Sequence, residues 1–123
     1  METATDALTV FEINKQVVGD RPAVVLANSD RMSVVAHVWD KGGEVSLHSH
    51  HSSDACWVVV QGQATFYGPD DQVLATVERG AGVFIPRNVK YWFESTSDET
   101  LMMVRSAAKG APELLDDRVI HSK

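Results

Sequence analysis

The sequence predicts an all-β fold, a barrel or sandwich, on three observations. Short apolar runs alternate with turn signals along most of the chain, the pattern of an antiparallel β protein. Outside a stretch near residues 112–120, no segment carries the 3.6-residue apolar period of an amphipathic helix. The length of 123 residues, with 44% of them apolar, suits one domain with a core of its own. Residues 1–123 are therefore expected to form a single domain. Residues 1–7, small and polar, form an expected flexible lead, and 107–123 a C-terminal tail.

Taken in order, the strands are expected at Leu8 to Ile13, Ala23 to Ala27 and Met32 to Trp39, the last ended by the Lys41-Gly42-Gly43 turn. Glu44 to His50 follows, its alternate residues Ser46, His48 and His50 sharing one face, and then the apolar run Ala55 to Val60, which breaks at Gly62. Ala64 to Tyr67 and Val73 to Glu78 flank Gly68-Pro69-Asp70-Asp71, a turn supplied with fixed and positive φ. Beyond Gly80 come Gly82 to Ile85, Val89 to Glu94 and Leu101 to Arg105. In the tail, Pro112 is placed to open a helical turn containing Leu114 and Leu115.

Charge and composition exclude several function classes. The formal net charge is −6, and no Lys/Arg cluster offers a face to a phosphate backbone, so no nucleic-acid partner is expected. No apolar run approaches the length of a membrane span, and no cleavable leader pattern opens the sequence, so a soluble cytoplasmic protein is expected. The single cysteine, Cys56, excludes an internal disulfide and a thiolate zinc cage, and is read as a buried inert thiol.

The chemistry points to His48-Ser49-His50. Residues two apart on a strand lie about 6.6 Å from each other on one face, so two imidazoles can converge on one atom. The stretch Gly42-x5-His48-x-His50, with Asp54 and then Trp57-Val58-Val59-Val60-Gln61-Gly62, resembles the first conserved motif of the cupin superfamily. Gly80-Ala81-Gly82-Val83-Phe84-Ile85-Pro86-Arg87-Asn88-Val89-Lys90-Tyr91 looks like the second, whose pattern runs Gly-x5-Pro-x-Gly-x2-His. The resemblance implies a cupin-type conical β-barrel, a double-stranded β-helix or jelly roll with its site in the lumen. It also implies a mononuclear metal held by two His and a Glu of the first motif and a His of the second. Here the chain departs from the pattern: Ala55 stands at the usual Glu position, Asn88 at the usual Gly and Tyr91 at the usual third His.

His48 and His50 are accordingly expected to hold one divalent transition metal (Fe, Mn, Ni, Cu or Zn), with Asp54 or Tyr91 completing the shell. The alternative for the histidines is a solvated hairpin edge. Simple alternation puts Asp54 outside with Cys56 and Val58, and only a bulge would turn it inward. Tyr91 is read as a metal ligand or general acid, against a plain space-filling role. Trp57 and Phe93 are read as pocket walls, and His51 as a solvated neighbour. The facing of His37 depends on hairpin register. Glu44 and Arg105 are read either as rim anchors for a substrate carboxylate or hydroxyl, or as surface ion-pair residues.

The leading functional expectation is a mononuclear-metal cupin enzyme acting on a small organic metabolite in the lumen, by oxygenase, isomerase or lyase chemistry. The alternatives are a metal-independent dehydratase, epimerase or cyclase with His48 or His50 and Tyr91 as base and acid, and a non-catalytic small-ligand binder. A small-molecule substrate and a homodimer are the expected partners, with Leu8 to Ile13 as a strand to exchange.

Overall fold

A computed structural model describes residues 3–4, 8–14, 22–109 and 118–121. Its strands are β1 (Thr3–Ala4), β2 (Thr9–Val10), β3 (Ala23–Asn28), β4 (Met32–Trp39), β5 (His48–His50), β6 (Asp54–Gln61), β7 (Gln63–Tyr67), β8 (Val73–Glu78), β9 (Gly82–Ile85), β10 (Trp92–Ser95), β11 (Leu101–Ala108) and β12 (Arg118–Ile120). A 3-10 turn at Pro69–Asp71 joins β7 to β8. Among the described residues no helix is long and apolar enough to cross a membrane.

One face of the molecule is a five-stranded antiparallel sheet in the order β3-β4-β11-β6-β9. Opposite it stands β10-β7-β8, extended on the β10 side by the segment around β5. That extension is made by main-chain bonds: Ser95 N donates to Gly42 O, Phe93 N to Glu44 O, His48 N to Tyr91 O and Tyr91 N to His48 O, all between 2.8 and 3.0 Å. The tail strand β12 then pairs antiparallel with β5. The two motif segments are thus neighbours in one sheet, joined at the His48–Tyr91 bridge.

Strict alternation on β6 fills the space between the sheets. Ala55, Trp57 and Val59 are buried while Asp54, Cys56 and Val58 face the other way, the two-residue period of a strand with one face in the core. Trp57, Phe66, Tyr91, Phe93, Leu101 and Met103 make one apolar cluster. Phe93 meets Trp39 at 5.0 Å, Trp57 at 5.1 Å and Phe66 at 5.0 Å between ring centroids. Aromatic rings bury roughly 150–250 Å² each, so this cluster supplies much of the apolar burial.

Several expectations need correction. The first strand is only Thr9–Val10, and it pairs with Thr3–Ala4 rather than running from Leu8 to Ile13. The segment from Glu44 to Leu47 is not a regular strand: only His48–His50 is. Tyr91 sits in a single bridge ahead of a strand that starts at Trp92, because Val89 N bonds back to Pro86 O in a turn. Ile120 belongs to a strand, not a helical turn, while Pro112, Leu114 and Leu115 lie outside the described residues. Asn88, at the usual Gly position, has φ 72°, a left-handed conformation that Asn tolerates better than most side chains. Its N–H donates to His50 O at 2.7 Å.

Candidate functional site

The site begins with an irregularity in the chain. Glu44 and His48 are four residues apart, yet their backbone partners, Phe93 on β10 and Tyr91 just before it, are two apart. Two extra residues therefore loop out between them, and Val45 and Ser46 are exposed. A regular strand would separate Glu44 from His48 by about 13 Å. The bulge instead brings Glu44 Oε1 to 3.2 Å from His48 Nε2. It also turns the Ser46 carbonyl inward, where it accepts a 2.7 Å hydrogen bond from His48 Nδ1. Gly43 lets this segment lie close to β10, since a Cβ there would stand 2.5 Å from Phe93 O.

With Nδ1 committed to a carbonyl, Nε2 is the nitrogen left to face Glu44 and the interior. The Glu44 carboxylate is within ion-pair distance of it but out of line with a directed hydrogen bond, so Nε2 has no well-aligned partner. Both the burial of His48, which is 1% exposed, and this misalignment leave Nε2 poised for a further contact. Burial alone raises the Glu44 pKa, but the close approach of His48, with His37 and Arg105 adding, outweighs it and holds Glu44 below its ordinary value. Glu44 is therefore a carboxylate at neutral pH.

Tyr91 closes the other side of His48, with ring centroids 4.4 Å apart. Its hydroxyl accepts from Trp57 Nε1 at 3.3 Å, which leaves its own proton to donate. Burial pushes the Tyr91 pKa up, with Glu44 adding and Trp57 and Arg105 opposing, so the group stays a neutral phenol. Trp57 is fully buried and orients this hydroxyl as well as lining the interior. Phe93, also fully buried, is enclosed by other rings and supports Trp57 from behind.

Two residues reach the site from the opposite sheet. In register, β11 places Met103 beside His37 and Val59, and Arg105 beside Val35 and Trp57. His37 stacks flat on Trp39 at 5.4 Å and leans on Trp57 at 5.3 Å. Burial lowers its pKa, opposed by Glu44 and assisted by Arg105. The Arg105 guanidinium carbon lies 5.9 Å from the centre of the Trp57 ring. Arg105 is thus part of the interior wall, and among the described residues it makes no ion pair of the surface kind.

The expected ligands divide. His48 and His50 do share one side, with ring centroids 5.4 Å apart, and Tyr91 lies 6.4 Å from His50. Asp54 does not join them. It keeps the outward parity of β6, and its Oδ1 accepts a 2.8 Å bond from Arg87 N. Ala55 faces inward, as the usual Glu would, with nothing to coordinate. Among the described residues no three His, Cys, Asp or Glu side chains are grouped to hold one ion. A metal centre that uses all four of His48, His50, Asp54 and Tyr91 does not fit this arrangement, because Asp54 is turned away from the other three and engaged with Arg87 N.

The remaining histidines and the cysteine are peripheral. His51 is exposed and Cys56 half-buried on the outer face of β6. His121 Nε2 meets Ser49 Oγ at 2.8 Å beside β12. A separate apolar cleft of about 220 Å³ opens between β8 and β9, with Leu74, Phe84 and Val89 at its mouth and Phe66, Ile85 and Tyr91 deeper in. Tyr91 is the one residue this cleft shares with the titratable cluster.

Glu44, His37 and Arg105 were the residues whose place was least legible in the sequence. Glu44 was expected at the rim or in a surface ion pair, and only the bulge brings it into contact with His48.

With this geometry, known proteins can be compared. The cupin domain family matches residues 36–105, more than half of the chain. The chain belongs to the cupin family. Among solved structures, a conserved double-stranded β-helix protein from Klebsiella pneumoniae is similar at a TM-score of 0.67 and 17% identity, over 85% of this chain and 89% of that one. An RmlC-like cupin from Methanocaldococcus jannaschii reaches 0.63 and 21%, over 85% and 92%. Pac13, described as a nucleoside dehydratase, reaches 0.65 and 17%, over 81% and 77%, and variants of the Streptomyces protein have been solved with uridine. At these identities the likeness establishes the double-stranded β-helix fold. Among curated proteins none matches the sequence significantly.

Proposed function

We propose that this cupin is a metal-independent acid–base enzyme that moves a proton on a small organic metabolite bound between the sheets. The observation that carries the reading is the His48–Glu44 pair at 3.2 Å beside a neutral, hydrogen-bonded Tyr91. A base whose other nitrogen is tied to a carbonyl, next to a phenol that keeps its proton, is the equipment for removing a proton at one atom and delivering one at another.

In this scheme His48 Nε2 takes a proton from carbon or oxygen of the substrate. Glu44 stabilises the imidazolium that results, at a distance where the low polarity of the interior strengthens the attraction. Tyr91 protonates the leaving or newly charged oxygen, and Trp57 Nε1 supports the phenolate as it forms. Dehydration, epimerisation and cyclisation all use this pair of roles. The fold-level likeness to a nucleoside dehydratase supports the first, as analogy only.

The test is a mass-spectrometric metabolite screen, run before and after exhaustive dialysis against chelator, with elemental analysis of the same protein. Turnover is expected to survive chelation and to fall about 10²–10⁴-fold in His48→Ala, the range for loss of a general base. Turnover that disappears on chelation and returns with a divalent metal would instead establish a metal enzyme using His48 and His50. Saturable binding of a metabolite that is never converted would establish a binding protein.

A further inference from the structure

Arg105 is the interior group that the acid–base scheme leaves without a task. Its Nη2 is buried and has no hydrogen-bond partner among the described residues, although a guanidinium carries five donors and keeps its charge at every relevant pH. The register sets it beside Trp57 on the inward side of β11, with the indole ring 5.9 Å from its carbon. Glu44 bears on half-buried Arg105 through its charge, but its carboxylate is engaged with His48 at 3.2 Å, and among the described residues it makes no ion pair with Arg105. A buried guanidinium donor left without an acceptor is costly. A ligand that brings the acceptor removes that cost.

From this we infer that Arg105 binds a carboxylate of the substrate, so that the site takes small carboxylic acids. A neutral carbonyl would satisfy the orphan donor but bring no negative charge of its own. A carboxylate does both, and its two oxygens match the planar fork of a guanidinium. The aromatic surroundings, with Trp57 beside the guanidinium and His37 and Trp39 stacked next to it, suit the apolar body of such an acid. Glu44, His37 and Tyr91 also face this region. Glu44 repels a second anion unless it is held near His48, which favours a single carboxylate directed at Arg105. The inference rests on the acid–base reading for what happens after binding, but the binding itself does not require it.

The experiment is a titration of the purified full chain with benzoate and with benzamide, a matched pair differing in charge, followed by tryptophan fluorescence. Benzoate is expected to bind about tenfold more tightly or better, the ratio one charge-assisted contact gives. In Arg105→Met the ratio should fall to near one. In Arg105→Lys, which keeps the charge but loses the fork, benzoate should weaken several-fold while benzamide does not change. Equal binding of the two probes, no saturable benzoate binding, or an undiminished benzoate affinity in Arg105→Lys would overturn the inference. The Lys variant and the wild-type ratio decide the matter even where Arg105→Met fails to fold. Benzoate preference without turnover sinks only the enzymatic reading, and turnover without benzoate preference sinks only this one.

Discussion

On one side of Tyr91 nearly every neighbour carries a proton or a charge, and on the other side none does. Toward β5 and β11 stand His48, Glu44, His37 and Arg105; toward β8 and β9 stand Phe66, Ile85, Leu74, Phe84 and Val89. Both regions lie between the same two sheets, the apolar one opening to the surface at its mouth. The apolar side needs no further explanation, because removing apolar surface from water is what holds a β sandwich together. The polar side is costly to desolvate, with a guanidinium nitrogen and an imidazole nitrogen that are buried without a hydrogen-bond partner. Local departures of this sort from what stability favours concentrate at functional sites. On the proposed function, one side serves stability and the other chemistry.

That division can be broken most directly at Phe66, deep on the apolar side. Phe66→Ala should cost about 3–5 kcal/mol in denaturant unfolding, the range for emptying a buried aromatic site. Leu74→Ser at the cleft mouth, where Leu74 is 49% exposed, should stay within about 0.5 kcal/mol. Comparable losses from both would mean that Leu74 is not at an open mouth of the cleft.

Tyr91→Phe sharpens the comparison at the boundary. Its ring, packed on both sides, remains, and only the hydroxyl goes. Stability should change by about 1 kcal/mol, since Trp57 Nε1 loses its acceptor, while turnover should fall about 100-fold if the phenol is the acid. A large stability loss with turnover intact would make Tyr91 a packing residue.

The smallest expected effect is on the pH dependence of stability. His37 is held below its ordinary 6.5 by burial, so as pH falls through that value the unfolded chain takes up a proton before the folded one does. Stability should therefore decline on acidification from about pH 7 toward 5, by the linkage between proton uptake and folding. Glu44, held below its ordinary 4.5, contributes stability that is complete above that value and lost as pH falls through its lower folded pKa. Both slopes have the same sign. Unfolding titrations across this range should show a flatter upper segment in His37→Gln, and an unchanged slope there would remove His37 as its source.

Much of the fold was legible because a strand writes its own period into the sequence. The bounds of β4, β8 and β9 coincide with the expected ones, and the outward parity of Asp54 follows from the alternation of β6. The segment from Glu44 to Leu47 misled for the same reason. Its alternating residues fit a regular strand, and nothing local marks the two that loop out, because that depends on which residues of β10 supply the hydrogen bonds. Strand β12 was missed because three exposed residues carry no periodic signal, and their pairing comes from β5.

The sequence by itself determined the all-β class, the two histidines on one face and the aromatic identity of the interior, since these follow from side-chain type and two-residue alternation. Tertiary structure decided the contacts that give those residues a use: the bulge that sets Glu44 against His48, and the register that sets Arg105 beside Trp57. Pairing between distant strands is a cooperative choice among many registers, made by the packing of the whole core rather than by any one segment.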